Sequence, residues 1–148
     1  MTRDNSDKRL MYLFMHIGKL LNERLRSPLS EGGIHFGQAR ILVALLHHGK
    51  LNQGTIGRGL HIKPATVTNL VKKLEASGLI ARRQDTNDDR IMNVTLTSKG
   101  RDAANFAVSV MEQIEDDIRS GLTQKEMDKL RNLLKRVRNT LGGSDPSI

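Results

Sequence analysis

A chain of 148 residues that is 37% hydrophobic can bury a core as one compact domain, or as one domain with helical extensions. Twenty-four Lys and Arg against 16 Asp and Glu leave a formal charge of +8, which favours a polyanionic partner such as nucleic acid or an anionic membrane surface. The absence of Cys excludes disulfide staples, thiolate metal sites and thiol redox sensing, and the scarcity of aromatics (three Phe, one Tyr, no Trp) argues against stacking on single strands.

Met1 to Arg9 are polar and charged, without a signal-peptide apolar run, and no stretch approaches the ~18 apolar residues of a membrane span. The expected location is the cytoplasm. Residues 1–7 read as a disordered lead-in. From Lys8, the apolar positions Leu10, Leu13, Phe14, Ile17, Leu20, Leu21 and Leu25 form a helical stripe of several turns. Ser27-Pro28 is predicted to end it, because a residue before proline avoids helical geometry. Ser30 to Gly33 reads as a loop.

A second helix is predicted from Phe36 or Gly37 to His47, with Ile41, Leu42, Leu45 and Leu46 as its apolar face and Gly49 as its C-cap. Asn52 can cap a short third helix ending near Leu60, with Ile56 and Leu60 pointing inward. Gly54, Gly57 and Gly59 weaken that helix intrinsically. It must therefore depend on packing or bring its backbone close to something, and both readings stand at this point.

After the turn His61-Ile62-Lys63 comes the stretch around which the rest is organised. Over Ile62 to Leu74, Val67, Leu70, Val71 and Leu74 recur at helical spacing on one side. Ala65, Thr68, Asn69 and Lys72 fall roughly opposite, and Pro64 suits a first helical turn. A face of small, hydrogen-bonding and cationic groups can enter a DNA major groove, where Asn or Thr reaches base edges. The third and fourth helices thus match a helix-turn-helix. Gly78 closes the fourth helix. Leu79 to Gln84 and Ile91 to Leu96 read as strands around the polar turn Asp85-Thr86-Asn87-Asp88-Asp89-Arg90, giving a hairpin wing.

Thr97 can cap the next helix, whose stripe is Ala103, Ala107, Val110, Met111, Ile114 and Ile118, with Phe106 beside it; Gly121 breaks it. Thr123 and Glu126 form a capping box for a last helix carrying Met127, Leu130, Leu133, Leu134, Val137 and Leu141. From Gly142 onward a flexible tail is expected. The first stripe is long for a simple DNA-binding domain, which points to a second role such as dimerisation. The fold class is mainly α with a small β-hairpin wing.

The run Leu74-Glu75-Ala76-Ser77-Gly78-Leu79-Ile80, then Arg82-Arg83, the acidic loop, and Val94-Thr95-Leu96-Thr97-Ser98-Lys99-Gly100 resemble the MarR family of transcriptional regulators over about residues 8–141. The resemblance implies a homodimeric winged helix-turn-helix, with residues 36–102 as the DNA-binding domain and residues 8–26 and 103–141 as the helical dimerisation region. It implies regulation of transcription, most often repression relieved by a small molecule, with wings approaching the minor groove. Where the family commonly has Asp-Arg-Arg in the wing, this chain has Asp88-Asp89-Arg90. Asp88 and Arg90 keep the pair that braces the wing, while Asp89 repels phosphate if it points that way.

On this reading Thr68 and Asn69 are candidates for base contact and Ala65 for a thymine methyl. Lys63, Lys72 and Lys73 are candidates for phosphate contact, and Thr66 for phosphate or backbone. Arg82 and Arg83 diverge on a strand, so at most one follows the DNA-facing surface and the other braces the wing or serves solubility. Arg90 is the candidate for the minor groove. The expected partners are double-stranded DNA carrying an imperfect palindrome and a second copy of the chain. Two recognition helices about 34–36 Å apart can read successive major grooves.

A small-molecule effector is a further expected partner. His16, Leu20, Phe36, Ile41, Leu45 and Phe106 are possible lining residues, each equally readable as core or interface. No cofactor is implied. His47-His48 is better read as capping or exposed than as metal-binding, and no nucleotide-binding fingerprint or nucleophile triad is present. Two other readings stand beside the regulator: a winged-helix protein-interaction module with weak DNA affinity, and a small enzyme subunit.

Overall fold

In the computed structural model, which describes residues 6–148, helix α1 spans Ser6–Glu31 and contains Pro28. Most of the lead-in expected over 1–7 therefore lies outside the described residues. The predicted stop at Ser27-Pro28 is overturned, and of the loop expected over Ser30 to Gly33 the first two residues are helical while Gly32 and Gly33 form the turn. Leu29 is fully buried and Ile34 nearly so. Burying two such side chains contributes roughly 1.5–3 kcal/mol each, enough to offset the ~3 kcal/mol that an interior proline costs. Beyond Pro28 the ladder recovers: Gly32 N–H donates to Pro28 C=O at 3.2 Å, and Ile34 N–H to Leu29 C=O at 3.0 Å. Gly33, at φ 77°, supplies the left-handed residue that ends the helix.

Helix α2 (Phe36–His48) carries Ile41, Leu42 and Leu45 into the centre of the core, and Gly49 caps it as expected. Helices α3 (Gln53–Leu60) and α4 (Pro64–Ala76) form the helix-turn-helix. Asn52 caps α3, its side chain accepting from Thr55 N–H at 2.8 Å. The glycines of α3 serve close packing: a Cβ on Gly57 would stand 3.1 Å from Ile62 O, and one on Gly59 would run into the Ile148 side chain. The turn is held by His61 at φ 55° and by Ile62 N–H donating to Gly57 C=O at 2.8 Å. The tail is not free of the fold, since Ser147 N–H reaches Gly59 C=O at 3.3 Å.

Three strands, β1 (Lys50–Asn52), β2 (Ile80–Gln84) and β3 (Met92–Leu96), make an antiparallel sheet in the order β1-β3-β2. The hairpin of β2 and β3 matches the expected wing. Strand β1 is an addition, pairing Leu51 with Val94 and Asn52 with Asn93. Its three residues are too few to show alternation, and only a partner strand distant in sequence makes it extended.

Helix α5 (Ser98–Ser120) starts at the Thr97 cap and packs against α2 through Ala104, Ala107 and Val110. The small alanines let the two backbones approach. At its first turn Gly100 lies directly on the Leu79 carbonyl. Helix α6 (Gln124–Thr140) follows the Thr123–Glu126 capping box and buries Met127 alone. Along α1 the side chains of Leu13, Ile17 and Leu20, and along α6 those of Leu130, Leu133 and Leu134, remain exposed. A single chain therefore leaves two apolar helix faces uncovered.

Candidate nucleic-acid interface

Helix α4 divides as its sequence predicts. Val67, Leu70, Val71 and Leu74 are buried, while Lys63, Ala65, Thr66, Asn69, Lys72 and Lys73 are exposed. Pro64 opens the helix. Thr68 is half-buried and its hydroxyl donates to Pro64 C=O at 3.0 Å. It can still accept a hydrogen bond, but its proton is committed to the helix. Asn69 keeps both donor and acceptor turned to solvent, the combination that pairs bidentately with adenine.

The two wing arginines diverge. Arg82 turns back to α4 and donates twice to Glu75, at 3.1 and 3.0 Å, while Arg83 stays exposed. The planar fork matching a carboxylate fixes an angle as well as a distance, so this pair sets the wing against the recognition helix. Asp88 accepts the backbone N–H of Arg90 at 3.0 Å and two guanidinium bonds at 3.0 and 3.2 Å. The Asp88–Arg90 brace is thus in place, with the arginine itself extended into solvent. Asp89 is exposed; its backbone carbonyl accepts from the Gln84 amide at 3.1 Å.

Two residues escaped the sequence reading. Glu75 stood inside a recognised run without a role; a carboxylate on the last turn of a helix, seven residues before a strand arginine, was the available signal. The sequence presents Asp85 as one more turn former, yet it organises the wing loop. It accepts Asn87 N–H at 3.0 Å, Asp88 N–H at 3.2 Å and the Asn93 amide at 3.0 Å.

These bonds hold several carboxyl groups below the usual range: Asp85 chiefly through Asn93, then the Asn87 N–H; Asp88 chiefly through Arg90; Glu75 chiefly through its hydrogen bond from Arg82. A carboxyl lowered by folding stabilises the fold fully above its unfolded value and loses that contribution as pH falls through the lowered one. The wild type should therefore lose melting temperature as pH drops below the ordinary Asp value of 3.8. Asp85→Asn should be less stable at pH 7 and lose less on acidification. An identical acid slope for both, followed by circular dichroism, would remove Asp85 from this account.

The possible effector residues are scattered. His16 and Leu20 are exposed on α1, and Phe36 is exposed at the start of α2. Ile41 and Leu45 are sealed in the core, so a ligand reaching them would have to part α2 from its neighbours. The Phe106 ring lies against Gly32. A cleft of about 310 Å³ between α1 and α5 is lined instead by Arg24, Pro28, Val110 and Gln113 among others. Among the described residues no cluster of three or more His, Asp or Glu is placed to hold a metal, and no helix is long and apolar enough to cross a membrane.

A family model described as the MarR family matches residues 36–92. The transcriptional repressor MdtR of Bacillus subtilis is 31% identical over 109 residues, covering 74% of this chain and 70% of that protein. The transcriptional regulator SarZ of Staphylococcus saprophyticus is 28% identical over 129 residues, covering 84% and 88%. Among solved structures, the S. aureus MepR–DNA complex superposes with a TM-score of 0.81 at 28% identity, covering 88% of this chain and 96% of that one. With an α4 face open beside a braced wing, and with these relatives spanning most of its length, the chain belongs to the MarR family, built as a winged helix-turn-helix.

Proposed function

We propose that the protein is a homodimeric, sequence-specific DNA-binding regulator that represses transcription by occupying a pseudo-palindromic operator and is released by a small-molecule effector. The observation that carries this reading is the polar face of α4, open to solvent and oriented by the Glu75–Arg82 pair against a wing that leaves Arg83 and Arg90 exposed. A relative solved with DNA and another described as a repressor support it. Family membership removes the small-enzyme alternative: the chain is a regulator, not an enzyme. Release would be a population shift, a ligand favouring a spacing of the recognition helices that no longer fits the operator.

Fluorescence anisotropy on the protein's own upstream DNA and on a scrambled duplex, at several salt concentrations, tests the reading. A preference of about 10³-fold or more at moderate salt is expected for specific recognition. Equal, weak, salt-sensitive binding to both would overturn it. The exposed acid Asp89 in the wing motivates the second reading, a winged-helix module that captures a protein partner instead.

Roles within α4 separate by substitution. Asn69→Ala should relax discrimination between duplexes by roughly 1–3 kcal/mol. Lys72→Ala should weaken all duplexes alike and flatten the salt dependence. Unchanged discrimination in Asn69→Ala would exclude Asn69 as a base reader.

A further inference from the structure

We infer that Arg58 and Arg90 form a clamp that seats a single phosphodiester of the DNA backbone between the helix-turn-helix and the wing. The inference rests on the DNA-binding reading above and assigns a role to Arg58, which neither the periodicity of α3 nor the wing sequence singles out. Arg58 stands in the last turn of α3, and Arg90 in the loop that leads into β3. The two line one cleft of about 380 Å³ together with Asn52, Gly54 and Met92.

The Arg58 guanidinium folds back along its own helix. Its Nη2 lies 3.5 Å from Thr55 Oγ1, and a Cβ on Gly54 would stand 3.1 Å from Nη1. The missing side chain at Gly54 makes room for the cation. Among the described residues no carboxylate lies within ion-pair distance of Arg58, and the first turn of α3 contains no acid. Arg90 enters from the other side already oriented. Asp88 takes the Nε N–H and one N–H of Nη2, leaving three N–H groups, two of them on Nη1, for another acceptor. Two guanidinium groups thus share a concave surface with only one carboxylate between them. Both side chains are exposed in the free protein, and together they are favourable around an oxyanion.

The position of the cleft selects the phosphodiester. Gly54 and Arg58 also line the neighbouring groove between α3 and α4, which Pro64 and Thr68 close. The cleft therefore lies between α3 of the helix-turn-helix on one side and the wing on the other, with the groove to the recognition helix beyond α3. A helix in a major groove and a wing in the adjacent minor groove have one sugar–phosphate strand running between them. A phosphate of that strand is the anion this cleft would meet.

The test uses the full-length protein and the operator duplex defined by footprinting. Arg58→Gln should weaken wild-type binding to operator and scrambled duplex by the same factor and reduce the slope of log K against log salt by about 0.9 per clamp. Arg58→Lys should restore the slope but not the full affinity, because a point charge replaces a fork. Uncharged methylphosphonates, placed one at a time along each strand, should reveal one position per half-site that costs the wild type more affinity than it costs Arg58→Gln, where Arg90 alone still meets that phosphate. An unchanged slope in Arg58→Gln, or additivity at every methylphosphonate, overturns the clamp while leaving the DNA-binding reading intact. A wild type that binds no duplex overturns both. Inorganic phosphate at constant ionic strength should compete no better than chloride, and phosphate-specific competition would overturn the assignment to the DNA strand.

Discussion

Replacing Gly100 with alanine is expected to lower the unfolding free energy by about 3 kcal/mol, the upper end of the usual range for overpacking. The added Cβ would run into the Leu79 carbonyl oxygen and lie 2.8 Å from its carbon. Both are backbone atoms, so no side-chain rotation relieves the clash. The same carbonyl accepts Thr97 N–H at 3.1 Å, and Thr97 Oγ1 donates to Gly78 C=O at 2.6 Å, so the start of β2 and the start of α5 are tied together at this point. Moving α5 outward would pull Ala104 and Ala107 from the core. Gly18 is the control. It sits inside α1 with no atom within 4 Å of an added Cβ, and Gly18→Ala should stabilise by roughly 0.5–1 kcal/mol. Urea titration of both variants decides the matter; a loss below about 1 kcal/mol for Gly100→Ala would mean that the helix start yields more easily than its contacts indicate.

The second large effect concerns assembly. The variant Leu133→Asp/Leu134→Asp is expected to sediment as a monomer and to lose at least ~10²-fold in operator affinity, because the second half-site is then no longer delivered at high effective concentration. Both leucines are exposed in the single chain, as are Leu13 and Ile17 on α1, so the substitutions cost a lone protomer little. In an apolar interface between copies each carboxylate would be stripped of water without a partner, at a cost of several kcal/mol. The thermal transition of the winged domain should survive, since its core runs through α2, α4 and the first half of α5. A variant that remains dimeric with wild-type affinity would locate the subunit contact elsewhere.

Much of this molecule is written in local pattern. The buried stripe of α4, the polar turn between β2 and β3, and the caps at Asn52, Thr97 and Thr123 are decided by residues within a few positions of one another, and the sequence reading placed each of them. What it misplaced depends on distant partners. Pro28 is tolerated because Leu29 and Ile34 find a core supplied by other elements. Strand β1 exists because β3 lies beside it. The exposed candidates of the recognition helix follow from a burial pattern that a sequence displays. The Glu75–Arg82 fork, the hub at Asp85 and the cleft between Arg58 and Arg90 depend on side-chain directions that no spacing rule specifies. The possible effector residues were the least legible, because position along a helix does not distinguish a wall of a pocket from the filling of a core; Ile41 and Leu45 are filling.

Strand β1 has a mechanical consequence. Asn52 ends that strand, caps α3, and pairs across the sheet with Asn93, whose amide is bonded to Asp85 at the root of the wing loop. Helix α3 and wing are thereby joined through a few short bonds, as the Glu75–Arg82 pair joins α4 to the wing. In the proposed dimer each protomer would be one jaw of a caliper, with a set offset between the groove it reads and the groove it touches, and the adjustable quantity would be the gap between jaws. A signal that silences such a protein need not deform either reading head; it has only to change how far apart two of them are carried.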